Sequence, residues 1–297
     1  MAFRHVYIEH PVYISIKLKQ LNIYSEHDQY TFTIPLEDIE SIILDNYKSV
    51  ITAYALMEIT RYKITMVICG SNHLPQGICL PQHQYYKKFT MLNEQFKMSK
   101  QVIGRLWRNI VKQKLKNEST TLSILNRPYT SNIEKLIKLV KPNDVNNVEA
   151  QAARIYFIAL FGQDFQRRDE NPLNDVLNYG YAIIRSMISR DLCAYGLEPC
   201  LGLHHHNYLN SFNLSDDLIE PFRSYVDLYV FYNMQTFNKG LSSSNKKLLV
   251  NMINGYVYID NQYETVTNAI HGMVSAYNNC CINKSSRIVL PEIRDEK

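Results

Sequence analysis

Three groups of polar side chains stand where a helix begins or where a loop feeds one. They are Glu149, the run His204-His205-His206, and the acids Asp216, Asp217 and Glu220. Asp217 and Glu220 are three residues apart, so on a helix they share a face, and the histidine loop just before them can fold back over that helix. One carboxylate from another helix completes a mixed oxygen and nitrogen site. Hard carboxylates with one imidazole suit Mg²⁺ or Mn²⁺, with open positions left for phosphate oxygens and water. Each residue also has an ordinary reading: Glu149 can complement a helix dipole, Asp217 can be an N-cap, and three histidines can be a surface loop. A rival set, Cys193, Cys200, His204 and His206, suggests zinc. Cys193 falls inside an amphipathic helix, however, and its spacing to Cys200 fits no usual zinc knuckle.

The elements that position these groups follow from hydrophobic period. Val12, Ile14, Ile16 and Leu18 alternate, a polar break falls at Glu26 to Asp28, and Tyr30, Phe32 and Ile34 alternate again, which predicts strand, turn, strand. The run Ile39 to Leu44, a short helix from Thr52 to Arg61, the β-branched run Ile64 to Cys69 and the run Gly77 to Leu80 complete a small strand-rich unit. After Pro75, Gly77 and Pro81 the period changes to 3.6. The expected organisation is therefore α+β, a β-rich N-terminal domain over 1–83 and a larger all-α domain over 84–297. In the second, Asn146 or Asn147 should cap a helix that carries Glu149 and stops at Gly162. Asn171 and Pro172 open the next, which ends near Gly196. Gly180 inside it implies close approach of a neighbour, with helix packing the plainer cause. A further helix opens at Ser215 or Asp217 and runs to about Gln235. Tyr256 to Ile259 reads as a small strand, and Val266 to Cys281 as a last amphipathic helix.

Across 297 residues, 32 lysines and arginines face 28 acids, a net charge of +4. Its distribution is uneven. Between Tyr85 and Asn117 nine basic residues meet the single acid Glu94, giving +8 there and −4 elsewhere. With Tyr85, Tyr86, Phe89, Phe96 and Trp107 interleaved, that segment is what a surface tracking a phosphate backbone requires, although a solvated helix face is the plain alternative. Arg105, Arg108 and Lys112 are its candidate DNA contacts. No apolar stretch reaches membrane-spanning length, and Arg4, His5, Glu9 and Pro11 interrupt any signal-peptide core. Six cysteines without a Cys-x-x-Cys suggest free thiols in a reducing cytoplasm.

The segment GLEPCLGLHHHNYLNSFNLSDDLIEPFRSYVD at 196–227 resembles the signature of the CRISPR-associated protein 1 family, the adaptation integrase. NVEAQAARIYFIALFG at 147–162 resembles that family's glutamate-bearing helix, and NPLNDVLNYGYAIIRSMI at 171–188 the helix after it. IPLEDIESIIL at 34–44 resembles the family's N-terminal domain, so the likeness spans nearly the whole chain. The His-His dipeptide and the tetrapeptide EPFR point to the type II branch.

The resemblance implies a metal-dependent DNA endonuclease and integrase that inserts short foreign duplexes into the CRISPR repeat by attack of a 3′-hydroxyl on a phosphodiester. Motif by motif, the Mg²⁺ or Mn²⁺ ligands and catalytic residues fall on Glu149, His205 and Glu220. Gly202 fixes the histidine count. Asp217 is a second-rank ligand, and Glu220 stands where the family often has aspartate. Implied partners are double-stranded DNA, as prespacer and as repeat, a second copy of the chain in a homodimer, and CRISPR-associated protein 2, with other type II adaptation proteins beyond them. A non-catalytic DNA-binding scaffold is the alternative from another class. Because clustered acids repel, truncating any one ligand is expected to leave the melting temperature near wild type.

Overall fold

The computed structural model describes residues 4–26, 29–71, 75–81, 88–237 and 240–295. Two four-stranded sheets form the β-rich N-terminal region. In one, β1 (Arg4–Ile8), β5 (Ile39–Leu44) and β7 (Thr65–Cys69) run parallel, with β8 (Pro75–Cys79) antiparallel at the edge. In the other, β2 (Tyr13–Lys17), β3 (Gln20–Ser25) and β4 (Tyr30–Pro35) form a meander, and β6 (Val50–Ile51) joins β2 in parallel. The helix α1 (Ala53–Arg61) is capped by Thr52, whose Oγ1 accepts from the Ala55 N–H at 3.1 Å.

The strand β2 is shorter than the alternation from Val12 to Leu18 suggests. Leu18 and Lys19 have φ of 52° and 61°, so the chain turns there, Leu18 stands in solvent, and an additional strand, β3, occupies 20–25. The run Ile39 to Leu44 does not alternate because both faces of β5 are covered. Ile42 packs into the N-terminal core with Ile14, Leu21 and Ile59, whereas Ile43 joins Val67 and Cys69 in the core of the helical portion. Buried ion pairs add to that junction: Arg190 with Glu40, and Lys246 with Asp45. The expected division after residue 83 falls within 82–87, outside the described residues.

The C-terminal portion is helical, with one antiparallel hairpin. It comprises α2 (Lys88–Phe96), α3 (Lys100–Ile124), α4 (Thr130–Ile137), α5 (Val148–Phe161), α6 (Pro172–Ala194), α7 (Asn213–Leu218), α8 (Glu220–Tyr232), α9 (Met234–Phe237), α10 (Ser243–Asn251), the strands β9 (Tyr256–Ile259) and β10 (Gln262–Thr265), and α11 (Val266–Asn283). The long α3 is the hub and packs against α4, α5 and α8. Trp107, Val111, Leu115 and Leu122 line its buried side. At Gly180 in α6 an added Cβ would meet Val226 of α8 at 2.6 Å, so this glycine serves helix packing. The helix expected from Ser215 or Asp217 begins at Asn213 and continues, after a break at Ile219 before Pro221, as α8. No helix among the described residues is long and apolar enough to cross a membrane.

Candidate functional site

Glu149 sits in the first turn of α5, and that turn is not capped as its sequence suggests. Asn147 occupies the cap position with φ 49° and makes no side-chain bond there. Instead the Asp144 carboxylate accepts from the Val148 and Glu149 N–H groups at 3.0 and 2.9 Å, closing the exposed donors of the helix start. Glu220 enters from the first turn of α8, where Pro221 lacks an N–H that would have gone unpaired anyway. Between the two lies a residue of α3. The Lys114 ammonium is 2.6 Å from Glu149 Oε1 and 2.6 Å from Glu220 Oε2. Arg223, one turn beyond Glu220, donates from Nε to Glu220 Oε1 at 2.8 Å and lies over the Tyr181 ring.

Burial works against the charged form of Glu220, but Arg223 and then Lys114 hold its carboxyl well below the usual range. Lys114 is likewise opposed by burial and held charged by Glu220 and Glu149.

The histidine loop is organised around Asp217, which is fully buried. Its Oδ2 accepts from the Leu203 and His204 N–H groups at 2.5 and 3.0 Å; its Oδ1 accepts from the His205 N–H at 3.2 Å and lies 2.7 Å from His205 Nδ1. Asp217 is therefore the anchor of the loop and not a helix cap. With Nδ1 engaged, Nε2 is the ring nitrogen left for another partner, and the Asp217 hydrogen bond raises the imidazole pKa. Gly202 makes the tight approach possible, since a Cβ there would come within 2.2 Å of the His205 carbonyl and 2.9 Å of Asp217 Oδ2. Trp107 of α3 stacks on His204 with centroids 4.4 Å apart and meets His205 edge-on at 6.0 Å.

Glu149 and Glu220 thus converge on one cation position, and His205 is held by Asp217 beside Trp107. Among the described residues no three His, Cys, Asp or Glu side chains close around a single metal position, the cysteine and histidine set for zinc included. The donor chemistry nevertheless fits a small cation. Two carboxylates bracket an ammonium, and Glu220 Oε2, although close to it, lacks an aligned hydrogen bond.

Arg105, Arg108 and Lys112 recur on one side of α3 with Lys116. Arg105 and Lys116 are exposed, while Arg108 and Lys112 are half-buried. The segment around them is less uniformly basic toward solvent than its composition suggests. Lys114 is buried, Lys97 pairs with Glu94, Lys88 pairs with Glu198, and Trp107 is fully buried. Tyr85, Tyr86 and Lys87 lie outside the described residues. A cleft beside α3 adds Arg287 and Arg294 to Lys112 and Lys116, basic residues from the C-terminal segment that the charge count of 85–117 could not include. Lys114 itself had a visible signal. Trp107, Val111, Lys114 and Glu118 share a stripe at helical spacing, which places two charges on an apolar face.

The family profile of CRISPR associated protein Cas1 matches residues 6–246. The chain belongs to the Cas1 family. It is 35% identical to the CRISPR-associated endonuclease Cas1 of Neisseria meningitidis serogroup C (strain 8013), over 99% of this chain and 97% of that protein. Its fold resembles a casposase bound to integration product, with TM-score 0.83, 19% identity and coverage of 99% of this chain and 96% of that one. It also resembles a chain of a Cas6-RT-Cas1–Cas2 complex, with TM-score 0.75, 18% identity and coverage of 95% of this Cas1 and 35% of that chain.

Proposed function

We propose that this Cas1 is a metal-dependent DNA endonuclease and integrase of CRISPR adaptation, joining the 3′-hydroxyl of a short foreign duplex to a phosphodiester of the repeat. The observation that carries the reading is the convergence of Glu149 and Glu220 on one buried cation position, with His205 separately oriented by a buried aspartate. Glu149, His205 and Glu220 are the proposed ligands of Mg²⁺ or Mn²⁺, with Asp217 holding the imidazole tautomer. When bound, the metal supplies charge stabilisation at the phosphate undergoing attack. The chain's own residues set up that chemistry: Arg223 fixes Glu220, the Asp144 carboxylate fixes the helix turn that carries Glu149, and Trp107 braces the histidine loop. The basic side of α3 and the arginines of the neighbouring cleft are the proposed track for the DNA backbone.

The exposed Tyr13, Phe32 and Val50 on the β4-β3-β2-β6 sheet, whose edges need covering, support a homodimer through the N-terminal region. Similarity to a chain from a Cas1–Cas2 complex supports Cas2 as partner. The His-His and EPFR sequences support the type II branch, with that branch's other adaptation proteins as further partners, and a cytoplasmic location follows from the same role. The test is strand transfer into a repeat-bearing plasmid with Mg²⁺ or Mn²⁺ and with chelator. Metal-dependent joining is expected, and it should fall by several orders of magnitude in Glu149→Ala and His205→Ala. Wild-type joining by those variants would refute the site. The ammonium at the cation position favours one alternative, a DNA-binding scaffold without catalysis. Duplex binding with no joining at saturating Mn²⁺ would establish that alternative.

A further inference from the structure

Lys114 is a buried cation placed where the proposed site needs a metal. Its ammonium touches both Glu149 and Glu220, each at 2.6 Å, and the side chain is almost wholly enclosed. Ammonium and divalent cation cannot share this position, because two charges at contact distance in an enclosed site repel strongly. Either the metal never enters, or the ammonium leaves. The structure offers it a destination. Glu118 lies four residues along α3, the spacing at which a lysine and a glutamate on a helix meet. It is buried, its Oε2 has no hydrogen-bond partner, and burial pushes its carboxyl up to about 8. A buried carboxyl with an unpaired oxygen, one turn from a flexible lysine stem whose charge it already feels, is a seat for that ammonium.

We propose that Lys114 is a resident counter-ion that holds Glu149 and Glu220 together before metal arrives and yields the position by moving its ammonium to Glu118, so that this pair on α3 sets metal affinity. The inference rests on the metal reading above, and its test separates the two. Before metal binds, Lys114 offsets the mutual repulsion of the two carboxylates and keeps α5 and α8 in register against α3. When metal takes over that charge, the displaced ammonium pairs with Glu118, whose carboxyl gives up its proton to solvent as the ion pair forms. The exchange lowers affinity below that of two bare carboxylates, which restricts loading to conditions where the cation is abundant.

The experiment titrates the full-length protein with Mn²⁺ alone, following free Mn²⁺ by electron paramagnetic resonance, and repeats thermal melts with and without Mn²⁺. Glu149→Gln comes first: if it binds Mn²⁺ like wild type, the metal reading itself fails. Where Glu149→Gln abolishes binding, Lys114→Gln should bind Mn²⁺ about tenfold more tightly than wild type. It should also melt lower than wild type without metal and recover with it. Equal or weaker Mn²⁺ binding by Lys114→Gln would overturn the proposal. Glu118→Gln should weaken Mn²⁺ binding by about tenfold, since the ammonium then has no charged seat; unchanged affinity would overturn it as well. Should Lys114→Gln fail to fold, the Glu118→Gln titration decides alone.

Discussion

Asp217→Asn isolates the anchor of the histidine loop with almost no change in shape. The carboxylate accepts from three backbone N–H groups of 203–205 and contacts His205 Nδ1, divided two and two between its oxygens. An asparagine has only one oxygen to offer. Turned toward Leu203 and His204, its NH₂ faces two donors; turned toward His205 it faces the backbone N–H, while Nδ1 in the Nε2–H tautomer can accept from it, so at least one buried donor is left unsatisfied. Leaving one buried donor unsatisfied costs about 1–3 kcal/mol in a residue without solvent exposure. At about 2–4 °C per kcal/mol for a chain of this order of size, the melting temperature should drop by roughly 2–12 °C. Differential scanning calorimetry on Asp217→Asn and on Asp216→Asn reads this directly. Asp216, half-buried and paired with Arg185 at 3.4 Å, should cost under about 1 kcal/mol. Protease cleavage within 203–206 should rise in the Asp217 variant alone. Equal melting temperatures for the two variants would refute the view that one buried carboxylate organises the loop.

Glu220→Ala should destabilise by about 2–4 kcal/mol, against the sequence-based expectation of a neutral change, because it leaves the buried Lys114 and the half-buried Arg223 short of a partner; a calorimetric melt within about 2 °C of wild type would contradict this. Glu149→Ala leaves Lys114 paired with Glu220 and should cost less in the same measurement. Charge reversal at Arg105, Arg108 and Lys112 should weaken binding to unrelated duplexes and flatten the salt dependence by about one unit of slope for each phosphate no longer neutralised, read by fluorescence anisotropy across a salt series. Unaltered slopes would remove this side of α3 from the DNA track. His5 is lowered to about 4 by burial and by Arg190, so it stays neutral in the folded protein at pH values where the unfolded chain takes up a proton. Stability should therefore fall as pH drops from about 6.5 toward 4, by up to roughly 3 kcal/mol from this group. His5→Asn should flatten that slope in urea titrations at several pH values.

Period and spacing decided much of this protein before it folded. The change from alternation to a 3.6-residue repeat separates a β-rich start from a helical remainder because side-chain direction repeats every two residues in a strand and every 3.6 in a helix. Local chemistry likewise placed Glu149 near the start of α5 and Glu220 on a helix expected to open at Ser215 or Asp217, whereas the break at Ile219 that puts Glu220 in the first turn of α8 was not legible. Features resting on contacts between distant segments were silent. The turn at Leu18 and Lys19 was hidden by an alternation that runs straight through it, and the capping carboxylate of α5 came from Asp144, before the αL residue at 147. Helical spacing puts Lys114 on the apolar stripe of α3, but which groups it meets there was decided by packing. In the chain it is one of nine basic residues in a segment of net charge +8, indistinguishable by type from its neighbours Lys112 and Lys116. Rotation along α3 turns Lys112 and Lys116 toward a solvent cleft and Lys114 into the protein, against carboxylates 35 and 106 residues away. Charge is a property of the residue, whereas whether it meets water or two converging carboxylates is a property of what packs beside it, and only the assembled helices determine that.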